Sequence, residues 1–192
     1  MIYFTADLHL GHYKIIEHCH RPFRSAEEMD AALIDNWNAS VGQEDEVYIL
    51  GDFTMRPAAD AHTYVSRLHG RKYLIIGNHD RFVRNYSQYE RDFVWMKDYF
   101  VLRKQGYRIV LFHYPILEWD QFFRDAIHLY GHIHNNEKSV ERASQLSGAA
   151  INVGVDLCDF RPVSIVEVFE RAQTLLRNDE ARGCSERSQV TQ

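Results

Sequence analysis

Cysteine is scarce in this 192-residue chain: Cys19, Cys158 and Cys184 form no C-x-x-C pair and no disulfide-framework spacing. That scarcity excludes a small disulfide-stapled scaffold and predicts reduced thiols in a cytoplasmic protein. Basic residues are in deficit as well, 22 Lys and Arg against 27 Asp and Glu, for a formal charge of −5. A broad nucleic-acid-binding face, which needs a basic surplus, is therefore not expected. No apolar run approaches the ~20 residues of a membrane span. The opening Met-Ile-Tyr-Phe-Thr-Ala-Asp has neither the basic start nor the apolar stretch of a secretory signal. Internal repeats and dividing linkers are lacking too, and nothing in the composition points to a protein partner.

What is present is an ordinary globular composition, 45% hydrophobic and 26% charged, long enough for one domain with a sizeable core. Residues 2–6 read as a short buried strand ending at Asp7. Ser25 and Glu28 read as a capping box, and Met29, Leu33 and Trp37 as the apolar stripe of the helix that follows. Strands are predicted over 46–50 and 72–76, with a helix over 57–68 between them. This alternation predicts crossover connections and a largely parallel sheet. Beyond residue 93 strands come closer together, over 93–102, 108–112, 127–130, 150–153 and 163–169, with a turn at Gln105-Gly106. The change of rhythm predicts an α/β architecture of two mixed sheets in a sandwich flanked by helices. Residues 1–171 are expected to form the domain. Residues 172–192 lose aromatics and apolar periodicity and read as a weakly ordered polar tail, with a short amphipathic helix over 172–178 as the alternative.

The chemistry lies in five short motifs: Asp7-x-His9, Gly51-Asp52, Gly77-Asn78-His79-Asp80, His113 and Gly131-His132-Ile133-His134. Each follows an apolar segment, and the strand ends of α/β sheets are where such folds bind their ligands. Residues two apart on an extended strand end point the same way, so Asp7 with His9, and His132 with His134, each offer a converging pair. The glycines at 51, 77 and 131 permit tight backbone paths beside them. Carboxylates, an amide and imidazoles in this order can bind two divalent cations, and an adjacent pair of cations is suited to attack on phosphate esters. Oxygen and imidazole donors without thiolate suit Mn²⁺, Fe²⁺, Zn²⁺ or Ni²⁺, with Mn²⁺ the first choice.

These motifs, in this order, resemble those of the calcineurin-like metallophosphoesterases, whose pattern is D-x-H, G-D, G-N-H-[DE], H and G-H-x-H. The match runs from residue 7 to residue 134 with every ligand position filled. The resemblance implies a four-layer αββα sandwich. It implies that Asp7, His9 and His134 bind one metal ion, that Asn78, His113 and His132 bind the second, and that Asp52 bridges both. Asn152-Val-Gly-Val-Asp156 resembles the late strand and loop of small bacterial members, with no role carried onto it. His79 is the expected proton donor to the leaving oxygen, and Asp80 the residue that orients it. His12 is a candidate contact to substrate phosphate. Two dications against two carboxylates and a hydroxide leave a small positive charge, complementary to a phosphodiester monoanion.

The expected activity is metal-dependent hydrolysis of P–O bonds by a metal-activated water or hydroxide, with phosphodiesters preferred and a nucleotide or nucleic acid as candidate substrate. Small-molecule phosphomonoesterase or nucleotide pyrophosphohydrolase is the alternative, and a metal-binding protein-interaction scaffold is the non-enzyme alternative. The family's protein phosphatases carry an arginine directly before Gly-Asn-His-Glu; here Ile76 holds that place and Asp80 the fourth, which argues against that class. The remaining His18, His20, His62, His69 and His128 read as structural. Trp119, Phe122 and Phe123 read as a core-facing helix in preference to a lid. Arg21, Arg24, Arg56, Arg81, Arg84, Arg124 and Arg161 are each possible phosphate clamps that the sequence does not rank.

Overall fold

The computed structural model describes residues 1–87 and 91–189, with side chains described through residue 178. The β-branched and aromatic run of β1 (Ile2–Thr5) pairs in parallel with β2 (Glu46–Leu50), which pairs in parallel with β3 (Arg71–Ile75). The connections are helical, as the alternation predicted: α1 (Tyr13–His18) and α2 (Ala26–Ser40) join β1 to β2, and α3 (Ala58–Val65) joins β2 to β3. Ser25 caps α2 by accepting from the Glu28 N–H at 3.2 Å. The stripe of Met29, Leu33 and Trp37 is buried against Val47, Ile49 and Leu74 on the outer face of this sheet. Each such side chain contributes about 1.5–3 kcal/mol by leaving water.

The sheet is completed by β4 (Met96–Lys97), parallel to β3, and by β9 (Val163–Ser164), antiparallel to β1. The second sheet runs β5 (Tyr99–Lys104), β6 (Tyr107–Phe112), β7 (Ile127–Tyr130) and β8 (Ala149–Asn152); β5 is antiparallel to β6 and the rest are parallel. The inner faces meet in one core, with Phe4, Leu50 and Ile75 facing Leu111, Ile127 and Leu129. Two mixed sheets flanked by helices make the α/β sandwich expected from the change of rhythm. Among the described residues no helix is long and apolar enough to cross a membrane.

Three local expectations are corrected. The predicted strand over 93–102 divides into β4 and β5. The predicted strand over 163–169 ends at Ser164, where α5 (Ile165–Gln189) begins. The reason is a capping box: Ser164 N–H donates to Glu167 Oε2 at 2.9 Å and Glu167 N–H donates to Ser164 Oγ at 3.3 Å, which starts a helix inside an apolar run. Helix α5 crosses the expected 171/172 boundary, with Ala172 buried and Leu175 and Leu176 packed against the inter-sheet core. Residues 190–192 of the expected tail, and the side chain of Cys184, lie outside the described residues; Cys19 and Cys158 are free and buried. The third correction concerns the Trp119 segment, which forms only a 3-10 turn (Phe122–Arg124). Trp119 and Ala126 cover the outer face of the second sheet, while Phe123 is 84% exposed.

His128, fully buried on β7, lies against the carbonyls of Val110 and Tyr114. Burial pulls its pKa from 6.5 down to about 4, in spite of those two contacts. An unfolded chain takes up a proton that the folded chain refuses, so the stability is whole above pH 6.5 and falls as the pH drops toward 4. The expected loss is about 3 kcal/mol at ~1.4 kcal/mol per pKa unit. Denaturant unfolding of wild type and His128→Asn across this range checks it. A stability difference between the two proteins that does not change with pH would contradict it.

Candidate metal centre

The five motifs converge because they all sit beyond the C-terminal ends of parallel strands. Asp7 follows β1, Asp52 follows β2, residues 77–80 follow β3, His113 follows β6, and His132 and His134 follow β7. The loops are stitched together by the backbone: Asp7 N–H to Gly51 O at 3.0 Å, His9 N–H to Asp52 O at 2.9 Å, and Gly131 N–H to His113 O at 2.9 Å. Two approaches require the absence of a side chain. A Cβ on Gly77 would stand 2.4 Å from both the nitrogen and Oδ1 of Asp52, and one on Gly51, itself at φ 87°, would stand 2.4 Å from His113 Nδ1.

Strain marks the same residues. Asp7, His9, Asp52, His132 and His134 all lie in the left-handed region, with φ of 59°, 52°, 55°, 70° and 49°. Each costs on the order of 1–3 kcal/mol, and such clustering is characteristic of functional sites.

Two clusters result. In one, donor atoms of Asp7, His9 and His134 all lie within 4.8 Å of one another; in the other, those of Asp52, His113 and His132 do. Asp52 faces both, with Oδ2 3.5 Å from His9 Nε2 and 3.5 Å from His113 Nε2. Asn78 joins the second cluster, its Oδ1 2.9 Å from His113 Nε2. The opposite nitrogen of His113 is 2.8 Å from Leu50 O, an arrangement that protonates Nδ1 and turns the Nε2 lone pair inward.

The electrostatics suit a cation. Burial drives the His9 pKa down to about 2, so this ring stays neutral, and its buried Nε2 has no hydrogen-bond partner. Burial pushes Asp7 up to about 6, against the pull of His134 and His113. Burial also acts to raise Asp52, but its hydrogen bond to His113 and that ring's charge outweigh it and hold the carboxyl at about 2. His134 is raised to about 10 although burial opposes it, because Asp156 and Cys19 face the ring. His113 is raised as well although burial opposes it, because the Asp52 carboxylate bonds to the ring and faces it. Unpaired buried nitrogens, converging oxygens and the lack of a thiolate in either cluster fit divalent metal ions.

A cleft of about 660 Å³ opens over this centre, lined by His9, Asp52, His79, His132 and His134 and by His12, Lys14, Ile15, Glu17 and His18 from the start and body of α1. His12 is in the cleft, its Nδ1 3.4 Å from His9 Nδ1. His79 is also there, with its ring centroid 5.4 Å from that of His9 and its buried Nδ1 unpartnered. Asp80 is elsewhere engaged. Its carboxylate accepts from the backbone N–H groups of Asp52, Phe53 and Gly77 at 2.8–2.9 Å, and among the described residues no hydrogen bond joins it to the His79 ring.

His18, read as structural, lines the cleft, whereas His62, His69 and His128 stand away from it. Among the candidate arginine clamps, Arg56 pairs with Asp60 and Arg161 with Glu167, both outside the cleft. Arg21 is buried under the centre in an ion pair with Asp156, and Asp156 in turn meets His134 Nδ1 at 2.8 Å. Both residues carry a contact to the centre that sequence reasoning missed, and so does Cys19, whose donor atom lies within 4.8 Å of those of His134 and Asp156. The one hint of Asp156 was its place at the end of the Asn152-Val-Gly-Val-Asp156 segment, onto which no role had been carried.

No protein-family model matches the chain. Among solved structures, a protein of unknown function from Aquifex aeolicus, AQ665, superimposes with a TM-score of 0.70 at 26% identity, covering 88% of this chain and 98% of that one. Yfce, a phosphoesterase from E. coli, reaches a TM-score of only 0.36 at 20% identity over 69% of each chain, too slight a likeness to bear on function. Among curated sequences, Uncharacterized protein MJ1445 of Methanocaldococcus jannaschii is 32% identical over 179 residues, 91% of this chain and 94% of its own. Gene 66 protein of Mycobacterium phage D29 is 30% identical over 180 residues, 81% of this chain and 87% of its own. Similarity of that degree over nearly the whole length means that the chain belongs to the family that includes MJ1445 and the phage gene 66 protein.

Proposed function

We propose that this protein is a dinuclear metal-dependent phosphoesterase of the calcineurin-like type, hydrolysing phosphodiesters in preference to monoesters. The observation that carries the proposal is the meeting of the Asp7–His9–His134 and Asp52–His113–His132 clusters at Asp52, on the floor of one open cleft. Asp7, His9 and His134 would hold one ion, Asn78, His113 and His132 the other, and Asp52 both. When bound, two such ions supply Lewis-acid stabilisation of the phosphoryl oxygens and lower the pKa of an attacking water.

The chain's own residues do the rest. His79 stands at the cleft wall, where its ring can deliver a proton to the leaving oxygen. His12 and Lys14, which also line the cleft, offer hydrogen-bond donors to the outer phosphate oxygens. The openness of the cleft suits an ester with a substituent on both sides of phosphorus, such as a nucleotide or a nucleic-acid strand end. Free buried Cys19 and Cys158 agree with a reducing, cytoplasmic setting.

The test is Mn²⁺-dependent hydrolysis of a chromogenic diester and its matched monoester, before and after chelation. Chelation is expected to abolish turnover and to lower the melting temperature. Excess Mn²⁺, at about 100 times its Kd, should restore both and stabilise the fold by ~2.7 kcal/mol. Asp52→Asn should cost at least about 100-fold in kcat/KM by weakening the shared ligand. Monoester preference would move the assignment to a phosphatase. Absence of turnover with both positions filled would sink the diesterase reading.

A further inference from the structure

Asp156 belongs to none of the five motifs, yet both of its carboxylate oxygens are engaged next to the centre. Arg21 Nε donates to its Oδ1 at 2.7 Å and Arg21 Nη2 to its Oδ2 at 2.9 Å. The same guanidinium donates to the carbonyls of Asp7 (2.7 Å) and Leu8 (3.0 Å), so it also grips the backbone of the first ligand loop. Asp156 Oδ2 meets His134 Nδ1 at 2.8 Å. Both side chains are sealed from solvent, at 0% and 1% exposure. The turn that carries Asp156 is itself tied to the end of β1, where Val155 N–H donates to Ala6 O at 3.1 Å.

We propose that Asp156, held in place by Arg21, is the positioning residue for His134: it keeps the ring proton on Nδ1 and leaves Nε2 to the Asp7–His9 cluster. The proposal rests on the two-cation assignment above and adds that one of the two positions depends on Asp156 while the other does not. An imidazole presents one lone pair, and an anionic acceptor on one nitrogen both fixes which nitrogen that is and makes it more basic. Arg21 supplies the reason that the carboxylate does not move toward the ion itself. Its guanidinium occupies both oxygens and ties them to the carbonyls of residues 7 and 8.

Donor atoms of Cys19, His134 and Asp156 also lie within 4.8 Å of one another, so this trio has the composition of a thiolate-bearing cation site of its own. Arg21 argues against it. A fixed positive charge 2.7 Å from the Asp156 carboxylate repels a cation from that trio, while among the described residues no cationic side chain hydrogen-bonds the Asp7 carboxylate of the other cluster.

The experiment is a calorimetric titration of metal-free wild type and Asp156→Asn with Mn²⁺. The expected result is one ion bound about 10–100-fold more weakly in the variant and the other unchanged, with kcat recovering when Mn²⁺ is raised to saturation. Equal weakening of both ions, or of neither, overturns the proposal, since a merely structural carboxylate would loosen the whole centre together. Two measurements that need no Asp156 variant stand beside it. Nitrogen NMR of Zn²⁺-loaded wild type should show His134 protonated on Nδ1, and protonation on Nε2 overturns the proposal even if Asp156→Asn fails to fold. Cd²⁺-loaded wild type should show no thiolate-to-cadmium absorption beyond that of Cys19→Ser; a band lost with Cys19 assigns the trio to a cation and overturns it too. Failure of wild type to bind any Mn²⁺ is a different outcome and removes the two-cation assignment itself.

Discussion

Replacing His79 with asparagine is expected to lower kcat by about 10²–10⁴-fold while the protein still binds metal and melts at the wild-type temperature. His79 is held by its backbone, not by its ring: its N–H donates to Asp52 Oδ1 at 2.8 Å, a bond that asparagine retains. Its imidazole lines the cleft with a buried, unpartnered Nδ1, a free-energy cost that the fold has no structural reason to bear. The size of the loss should depend on the substrate. A nitrophenolate leaves without help, so activated chromogenic diesters should lose least. An alkyl or sugar alkoxide needs a proton, so unactivated diesters should lose most. Kinetics on such a pair check the role. A loss that is equal for both substrates, or that is accompanied by weaker Mn²⁺ binding, would make His79 a structural residue of the centre.

Asp80→Ala should have the largest effect on the fold itself, a destabilisation of about 3–5 kcal/mol from stranded buried donors together with loss of metal binding. Asp80 is 4% exposed and serves as a staple between two loops, accepting from Asp52 N–H (2.9 Å) and Phe53 N–H (2.8 Å) after β2 and from Gly77 N–H (2.9 Å) after β3. Alanine leaves these buried donors without an acceptor, at about 1–3 kcal/mol each where water does not replace it. The same change releases Asp52 from its left-handed conformation, so the shared ligand is lost with the staple. Asp80→Asn should be intermediate, because its amide NH₂ would face N–H groups on one side. Denaturant unfolding of the metal-free proteins measures the first effect and calorimetry with Mn²⁺ the second. An alanine variant within about 1 kcal/mol of wild type that still binds Mn²⁺ would contradict the staple.

The two residues, side by side in one motif, differ in how far their surroundings can be read from the sequence. His79 reaches the cleft with the turn that follows the end of β3 at Ile75. Asp80 was expected to orient His79. Besides Gly77 of its own motif, its partners lie 27 and 28 residues earlier in the chain, on a different loop. Nothing local to the motif announces them. Val163–Phe169 is the opposite case, since Ser164 and Glu167 carried a capping signal in plain view that the apolar run obscured.

The sequence by itself determined the two-sheet sandwich and the order of the candidate ligands. Strand periodicity and the glycine-flanked motifs at strand ends are properties of short segments, which local chemistry governs. Tertiary structure alone decided which groups serve those ligands. Arg21 and Asp156 stand 135 residues apart, and Asp156 reaches back across 22 residues to His134. An ion pair over that separation has no sequence signature, because either residue elsewhere on the surface would be an ordinary solvated charge. Only the packing of the late turn onto the end of β1 brings them under the centre, out of water and within reach of the ring they hold.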